Sequence, residues 1–530
     1  MKPRAFGLWP LVVVLLVACG GGNDEPPPAP APAPQPPPVT PGVPIPPGQI
    51  EQAIGQLDSL GNDILARTQI PGMAVAVVHQ GQVAYLRGFG IREVGQPAPI
   101  DADTVFQLAS LSKPVGATVV ARQMTQQQVR WDTPMTEALP GFALADPAIT
   151  QQLTVGDLYA HRSGLPDHAG DDLEDIGYDR DTILQRLQYL PLAPFRDTYA
   201  YTNFGLTAAA QGVARRSGTD WATLSERELY RPLGMDHTSS RFADYLARPN
   251  RAVPHMWVDG RYQALAQRDP DAQSPAGGVS STASDMARWM QLILAEGRHQ
   301  GQPWIAAEAL LPAITPQVVS DRPNRPDARA GTYGFGFGVG VQPSGRTVLS
   351  HSGAFLLGAA TTVMMLPSAD VGIVVLTNAQ PRGAPEALAQ TFLDLVQFGA
   401  PQRDWLSAYA SVLAPMMRPF GRYADATPPP APQPSAALAT LVGTYHNPYV
   451  GAAGVGLTGD TLWLTLGPAG LRWPLRHWDG NTFVYALANE NAPPGSLAAV
   501  TFEADASGRI STLNLEVFEA AGQARLVRQP

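Results

Sequence analysis

A single lysine stands in the mature part of a chain that uses arginine for every other strong base. The 530 residues hold two lysines, Lys2 and Lys113, against 34 arginines. Lys2 falls in an N-terminal segment that reads as removable. A guanidinium stays charged at every physiological pH, whereas a buried ammonium can give up its proton. Lys113 is therefore the place for a basic side chain that must act as a proton acceptor. It follows Ser110 by three residues in Leu108-Ala109-Ser110-Leu111-Ser112-Lys113-Pro114. Val115, Val119 and Val120 recur at helical spacing and Pro114 suits a first turn, so the spacing predicts a helix that puts the hydroxyl and the amine on one face. The positive end of that helix disfavours an ammonium and favours an oxyanion, which moves both groups toward their reactive forms. The chemistry is attack by Ser110 on an acyl carbonyl with Lys113 as base. Ser112 is the rival nucleophile, but it points off the shared face.

Two further constellations follow in order: Tyr201-Thr202-Asn203, and His351-Ser352-Gly353 after a strand-like segment. Each is weak alone. Tyr-x-Asn recurs at Tyr445 in the β-rich tail, and His-x-Gly recurs at His79 in a hairpin turn and at His168 and His299 in polar loops or helix ends. Their order and context single out Tyr201, Asn203 and His351.

With these residues in place the chain resembles the serine β-lactamase-like hydrolases, the group of class C β-lactamases, penicillin-binding carboxypeptidases, D-aminopeptidases and related esterases. Ser110-Leu-Ser-Lys113 is similar to the family's S-x-x-K, Tyr201-Thr-Asn203 to its Y-x-N, and His351-Ser-Gly353 to the position written K-T-G or H-x-G. The segments Thr154 to Leu165 and Ala276 to Thr282 resemble linking segments of the same family, and the match covers about residues 49–400. The resemblance implies an acyl-enzyme on Ser110, with neutral Lys113 and a Tyr201 whose pKa nearby positive charge lowers sharing the proton relay. It also implies an oxyanion hole from the backbone N–H groups of Ser110 and Ala354, substrate contacts at Ser352 and Gly353, and Asn203 holding the substrate amide or Lys113. A histidine at 351 attracts a substrate carboxylate less than a lysine would, and offers a directed hydrogen bond instead. Esters or short peptides, D-amino-acid peptides included, are then favoured over penicillin-like acids. Tyr333, Phe335 and Phe337, at a period of two, read as a strand packing into the core.

The elements that must position these groups can be read more coarsely. Lys2 and Arg4 precede an apolar run from Leu8 to Ala18, too short to span a bilayer, which reads as an export signal over residues 1–18. It ends in Leu16-Val17-Ala18-Cys19, which resembles the lipobox of bacterial lipoproteins. The expectation is lipidation at Cys19 and anchoring to the cell envelope, at the outer membrane facing the periplasm. Residues 19–48 are a proline-rich tether that reaches about 90 Å at roughly 3.1 Å per residue. A helix over 50–67 and a hairpin from Gly72 to Tyr85 follow. A mostly helical stretch from 101 to 298 interrupts a sheet that resumes at Gly331, with a second hairpin at 359–376 and helix over 385–412. This predicts an α+β fold, an antiparallel sheet flanked by helices with a helical insertion, over 49–420. A Pro-rich linker at 421–436 then leads to a β-rich domain over 437–530, a barrel or meander with strands near 461–466, 482–485, 500–503 and 511–518. That tail resembles the lipocalin-like domains appended to some members of the family.

Composition narrows the alternatives. Cys19 is the one cysteine, so intrachain disulfides and thiolate metal clusters are excluded. A net charge of −9 without a basic run gives nucleic acid no electrostatic footing. Gly454 to Gly459 spells G-x-G-x-x-G, but a strand rather than a helix follows it, so it is no phosphate loop; the sequence carries no H-E-x-x-H, paired-cysteine set or Walker loop, so no cofactor or metal is expected. Two other functions stay open: a D,D-carboxypeptidase, endopeptidase or weak β-lactamase on cell-wall-like substrates, and a catalytically idle binding protein for peptidoglycan fragments. Self-association into a homo-oligomer also stays open.

Overall fold

A computed structural model describes residues 42–530, so the signal segment, Cys19 and most of the tether lie outside the described residues. The expected first helix is two, Gln49–Gly55 (α1) and Leu57–Thr68 (α2). The Gln56 N–H closes back on Ala53 at 3.2 Å, a tight three-residue turn that interrupts the α-helical ladder. The hairpin of Gly72–His79 (β1) and Gln82–Gly90 (β2) forms as expected. Its two-residue loop puts Gln80 at φ 49° and Gly81 at φ 68°, the left-handed pair that matches the twist of the strands.

Six more strands complete the sheet after the insertion: Val318–Asp321 (β3), Gly331–Tyr333 (β4), Gly338–Val341 (β5), Thr347–Phe355 (β6), Ala359–Leu366 (β7) and Val371–Thr377 (β8). They pair antiparallel in the order β2-β1-β8-β7-β6-β5-β4-β3. β1 reads as a continuous apolar run because both of its faces are covered. Met73, Val75 and Val77 pack with α1, α2 and Ala384–Phe398 (α7). Ala74, Ala76 and Val78 pack with the helical insertion.

Three helices of the insertion matter for the site, Ser112–Thr125 (α3), Asp171–Asp175 (α4) and Asn203–Arg216 (α5), and a fourth, Ala283–Leu294 (α6), braces them. α3 is buried almost all round, and Trp289 on α6 donates its indole N–H to Thr118 at 3.0 Å. The loop leading to α5 is held by a buried carboxylate. Asp157 completes a capping box with Thr154 and accepts from Arg162 at 2.8 Å and from Arg196 at 2.8 Å. The second of them, Arg196, lies on the segment that leads directly to Tyr201.

The C-terminal strands close into a barrel: Gly443–Asn447 (β9), Gly451–Thr458 (β10), Thr461–Leu466 (β11), Leu471–Asp479 (β12), Thr482–Leu487 (β13), Ser496–Ala504 (β14), Ile510–Leu515 (β15) and Arg525–Arg528 (β16). The G-x-G-x-x-G segment runs within β10 and its turn, and β11 rather than a helix follows it. Far from standing apart, the barrel docks on α4 and on the chain just after that helix. Arg186 donates to the Tyr449 carbonyl at 2.7 Å, Tyr178 to the Val450 carbonyl at 3.0 Å, and Asn491 to Asp175 at 2.8 Å.

Asp157 is fully buried, and although burial raises its pKa, the hydrogen bonds from Arg196, Thr154 and Arg162 outweigh that and hold it below the ordinary value. A depressed carboxylate contributes stability above its unfolded pKa and loses it as pH falls through the folded one. Asp157→Asn is expected to cost about 3 kcal/mol at pH 7, because it removes the buried charge with which two arginines pair. The deficit relative to wild type should shrink in acid. Thermal melts at pH 7 and pH 3 measure both.

Candidate active site

The nucleophile turn is built under strain. Ala109 sits in the left-handed region at φ 48°, and Ser110 follows in a single 3-10 turn, Ala109–Leu111, that runs straight into α3. Such a backbone costs on the order of 1–2 kcal/mol and lifts the serine out of the helix proper. β6 passes directly against this turn. A Cβ on Gly353 would lie 2.1 Å from the Leu108 carbonyl and 3.0 Å from the Leu111 nitrogen, so only glycine permits the approach. Ser112 is structural, as its spacing implied: its hydroxyl donates to the Ala109 carbonyl at 2.6 Å and accepts from the Val279 N–H at 2.9 Å.

Lys113 is wholly buried and its amine meets three oxygens: Ser110 Oγ at 3.1 Å, Asn203 Oδ1 at 2.7 Å and the Ala276 carbonyl at 3.0 Å. Burial pulls its pKa down to about 7, against an opposing pull from the Asp171 charge. A neutral amine has two N–H donors and one lone pair. Two of its neighbours here can only accept, so both donors are used on them and the lone pair is left for the Ser110 hydroxyl. The Asn203 amide is oriented for this, since its Nδ2 donates to Asp171 Oδ2 at 2.8 Å, which turns its oxygen to the amine. His168 Nδ1 meets the same carboxylate oxygen at 2.9 Å.

Tyr201 lies beside both groups, its ring centre 4.4 Å from the lysine nitrogen. Its pKa moves opposite to the expectation. Burial drives the phenol well above its ordinary value, and the nearby Ser110 hydroxyl offsets this only in part. It is thus a proton donor, with Lys113 the better base. Thr202, between Tyr201 and Asn203, gives its N–H to His161 Nδ1 at 3.1 Å, so that histidine fixes the backbone of the segment.

His351 also departs from expectation. Its Nδ1 donates to the Ser352 carbonyl at 2.7 Å, which makes Nε2 the acceptor of the Tyr333 hydroxyl at 2.9 Å and leaves the ring no N–H for a substrate. Burial and the neighbouring lysine take its pKa to about 3, so it is neutral. Tyr333, Phe335 and Phe337 are buried as expected but do not share a strand: β4 ends at Tyr333, Phe335 and Phe337 lie in the bend before β5, and the Tyr333 hydroxyl serves His351 besides.

Ser110, Tyr201, Asn203, Ser352 and Ala354 face a cleft of about 770 Å³. Its far wall was not legible in the sequence. The segment 413–421 before the barrel supplies Leu413, Met416, Arg418 and Phe420, and the β13–β14 loop of the barrel supplies Glu490 and Asn491. Glu490 accepts the N–H groups of Leu356 at 2.8 Å and Leu357 at 3.4 Å, at the end of β6. Asp171 and His168 were likewise missed as site residues; the one available signal was the recurrent His-x-Gly at His168, which short-motif reasoning set aside.

Residues 51–398 match the model of the Beta-lactamase family. The chain belongs to that family. Residues 427–527 match a second model, a domain of unknown function named DUF3471. Among relatives of this Beta-lactamase family member, the unguisins hydrolase ungD of Aspergillus violaceofuscus is 26% identical over 72% of this chain and 73% of its own. The D-alanyl-D-alanine-carboxypeptidase/endopeptidase AmpH of Escherichia coli K12 is 25% identical over 64% and 88%. In structure, the octameric penicillin-binding protein homologue from Pyrococcus abyssi superposes with a TM-score of 0.58 at 18% identity, covering 90% of this chain and all of that one. The fold is that of the β-lactamases and transpeptidases, and the protein is a serine hydrolase of ester or amide bonds.

Asp171→Ala is expected to lower kcat tenfold or more, because the Asn203 amide loses the acceptor that orients it. It should also move the acidic limb of the pH–rate profile to lower pH, since the removed charge had raised the lysine pKa. Gly353→Ala should cost roughly 1–3 kcal/mol in a denaturant melt, as an overpacked contact does, and should depress turnover with it.

Proposed function

We propose that the protein cleaves esters or short peptides through an acyl-enzyme on Ser110, and that the buried amine of Lys113 is the base that activates it. The observation that carries this reading is the set of three contacts around the Lys113 nitrogen, which leaves its lone pair for the Ser110 hydroxyl. As Ser110 Oγ bonds to the acyl carbon, its proton passes to Lys113. The tetrahedral oxyanion is met by the N–H groups of Ser110 and Ala354, on the two elements that Gly353 lets touch. Collapse breaks the bond to the leaving group, which takes a proton from Lys113 through the Tyr201 hydroxyl. Water then enters, loses a proton along the same path and releases the acid with Ser110 restored. Asn203 holds the amine, Ser352 and Gly353 flank the acyl chain, and His351 braces β6 through Tyr333 rather than binding substrate itself.

A neutral His351 gives a substrate carboxylate no charge to pair with at that position, while the cleft as a whole is lined by both acids, Asp171, Glu386 and Glu490, and arginines, Arg268 and Arg418. The neutral His351 favours neutral substrates over penicillin-like acids. Hydrolysis of cell-wall peptides is the second reading, supported by the likeness to AmpH. We further propose that the chain is exported and tethered by a lipid on Cys19 to the outer membrane, facing the periplasm; the lipobox-like sequence supports this.

Ser110→Ala should abolish both labelling by a fluorophosphonate and turnover of p-nitrophenyl acetate, and persistence of either refutes the assignment. In the wild type kcat/KM should rise with pH to a plateau above about 7, where the lysine has shed its proton. A rate independent of pH from 5 to 9 would exclude Lys113 as the base.

A further inference from the structure

A second cavity opens where the barrel mouth meets α4, and it adjoins the catalytic cleft. Phe420, His168, Asp171 and Asn491 line both spaces. The new cavity holds about 200 Å³. That is room for one aromatic or branched aliphatic side chain, given that an apolar cavity of about 150 Å³ takes up benzene. Its body is apolar, walled by Leu466, Trp473, Tyr485, Val517 and Phe518 of the barrel together with Ile176. Its rim is acidic. Among the described residues that line it, four are aspartates, Asp167, Asp171, Asp172 and Asp175, and none is lysine or arginine.

The aspartates of α4 are not all satisfied by the protein. Asp172 receives the Tyr449 hydroxyl and Asp175 the Asn491 amide. Asp171 is only 6% exposed, and its Oδ2 is shared by Asn203 and His168 while its Oδ1 has no hydrogen-bond partner. A buried carboxylate oxygen left without a donor is costly, and a ligand that brings one repays it. Burial lifts the carboxyls of Asp172 and Asp175 to about 7, so a cation arriving beside them would favour their charged forms.

We propose that this cavity is a substrate subsite that takes an apolar side group attached to an ammonium, at the end of the substrate remote from the bond that Ser110 cleaves. The occupant follows from the shared wall of the two spaces and from the charge of the rim. It makes the barrel part of the specificity apparatus. The inference rests on the assignment of the cleft to Ser110 chemistry, but the subsite can be tested without turnover.

Calorimetric titration of the full chain with 4-phenylbutylamine, 4-phenylbutanol and 4-phenylbutyrate tests it. The amine should bind at least tenfold more tightly than the alcohol or the acid. Ala521→Trp, which fills the cavity from a partly exposed position in the β15–β16 connection, should weaken the amine at least tenfold and leave p-nitrophenyl acetate turnover within twofold. Ala520→Phe serves the same purpose if the first variant does not fold. Equal binding of acid and amine, no measurable binding of the amine, or amine binding unchanged in the filled variant would overturn the subsite. Loss of Ser110-dependent turnover with amine binding intact would instead sink the reaction.

Discussion

The site depends on an amine taken out of water. With a pKa brought from 10.5 to about 7, the Lys113 ammonium is disfavoured by about 5 kcal/mol relative to its state in solvent. The fold meets that cost by surrounding the nitrogen with groups suited to a neutral amine: a side-chain amide oxygen, a main-chain carbonyl and a hydroxyl. Arginine could not occupy this position, because it would bring an irremovable charge into a space with a single nearby carboxylate. Lys2 near the N-terminus aside, the chain's use of arginine for every other strong base then has a physical reading. Wherever charge alone is required, arginine is used, and the exception is where a proton must leave.

Several parts of the structure exist to hold that nitrogen in place. The left-handed Ala109, the glycine at 353 and the Ser112 hydroxyl press the nucleophile turn between α3 and β6. Asp171 turns the Asn203 amide, and His161 fixes the backbone between Tyr201 and Asn203. The Asp157 cluster secures the loop from which Tyr201 projects. Each acts at one remove from the reacting atoms, so each is better described as positioning than as catalytic.

α4 carries this organisation to the barrel. Along Asp171-Asp172-Leu173-Glu174-Asp175 one acid orients Asn203, a second receives Tyr449, a third pairs with Arg268 beside the cleft and a fourth receives Asn491. A short helix with four acids would repel itself in isolation. Here each carboxylate is committed to a different partner, and two of those partners belong to the barrel. Docking the barrel and aligning Asn203 therefore draw on the same five-residue helix, and Glu490, beside Asn491 in the barrel loop, closes the end of β6.

Much of this was legible in the residues alone. The solitary lysine three places after a serine, the order of Tyr201, Asn203 and His351, the two hairpins of the sheet and half the strands of the tail are local signals, set by side-chain chemistry or by periods of two and 3.6. What the sequence could not carry were contacts between segments far apart in the chain. The pKa of Tyr201 was misjudged because burial, a tertiary quantity, raises it, and the charges that the fold brings near, Asp171 and Asp167, act in the same direction. The hydrogen bonds of His351 depended on Tyr333 arriving from another strand. Asp171, Glu490 and the second cavity had no motif at all, because their meaning lies in the docking of the barrel on α4, and no spacing along one chain encodes which two surfaces will meet.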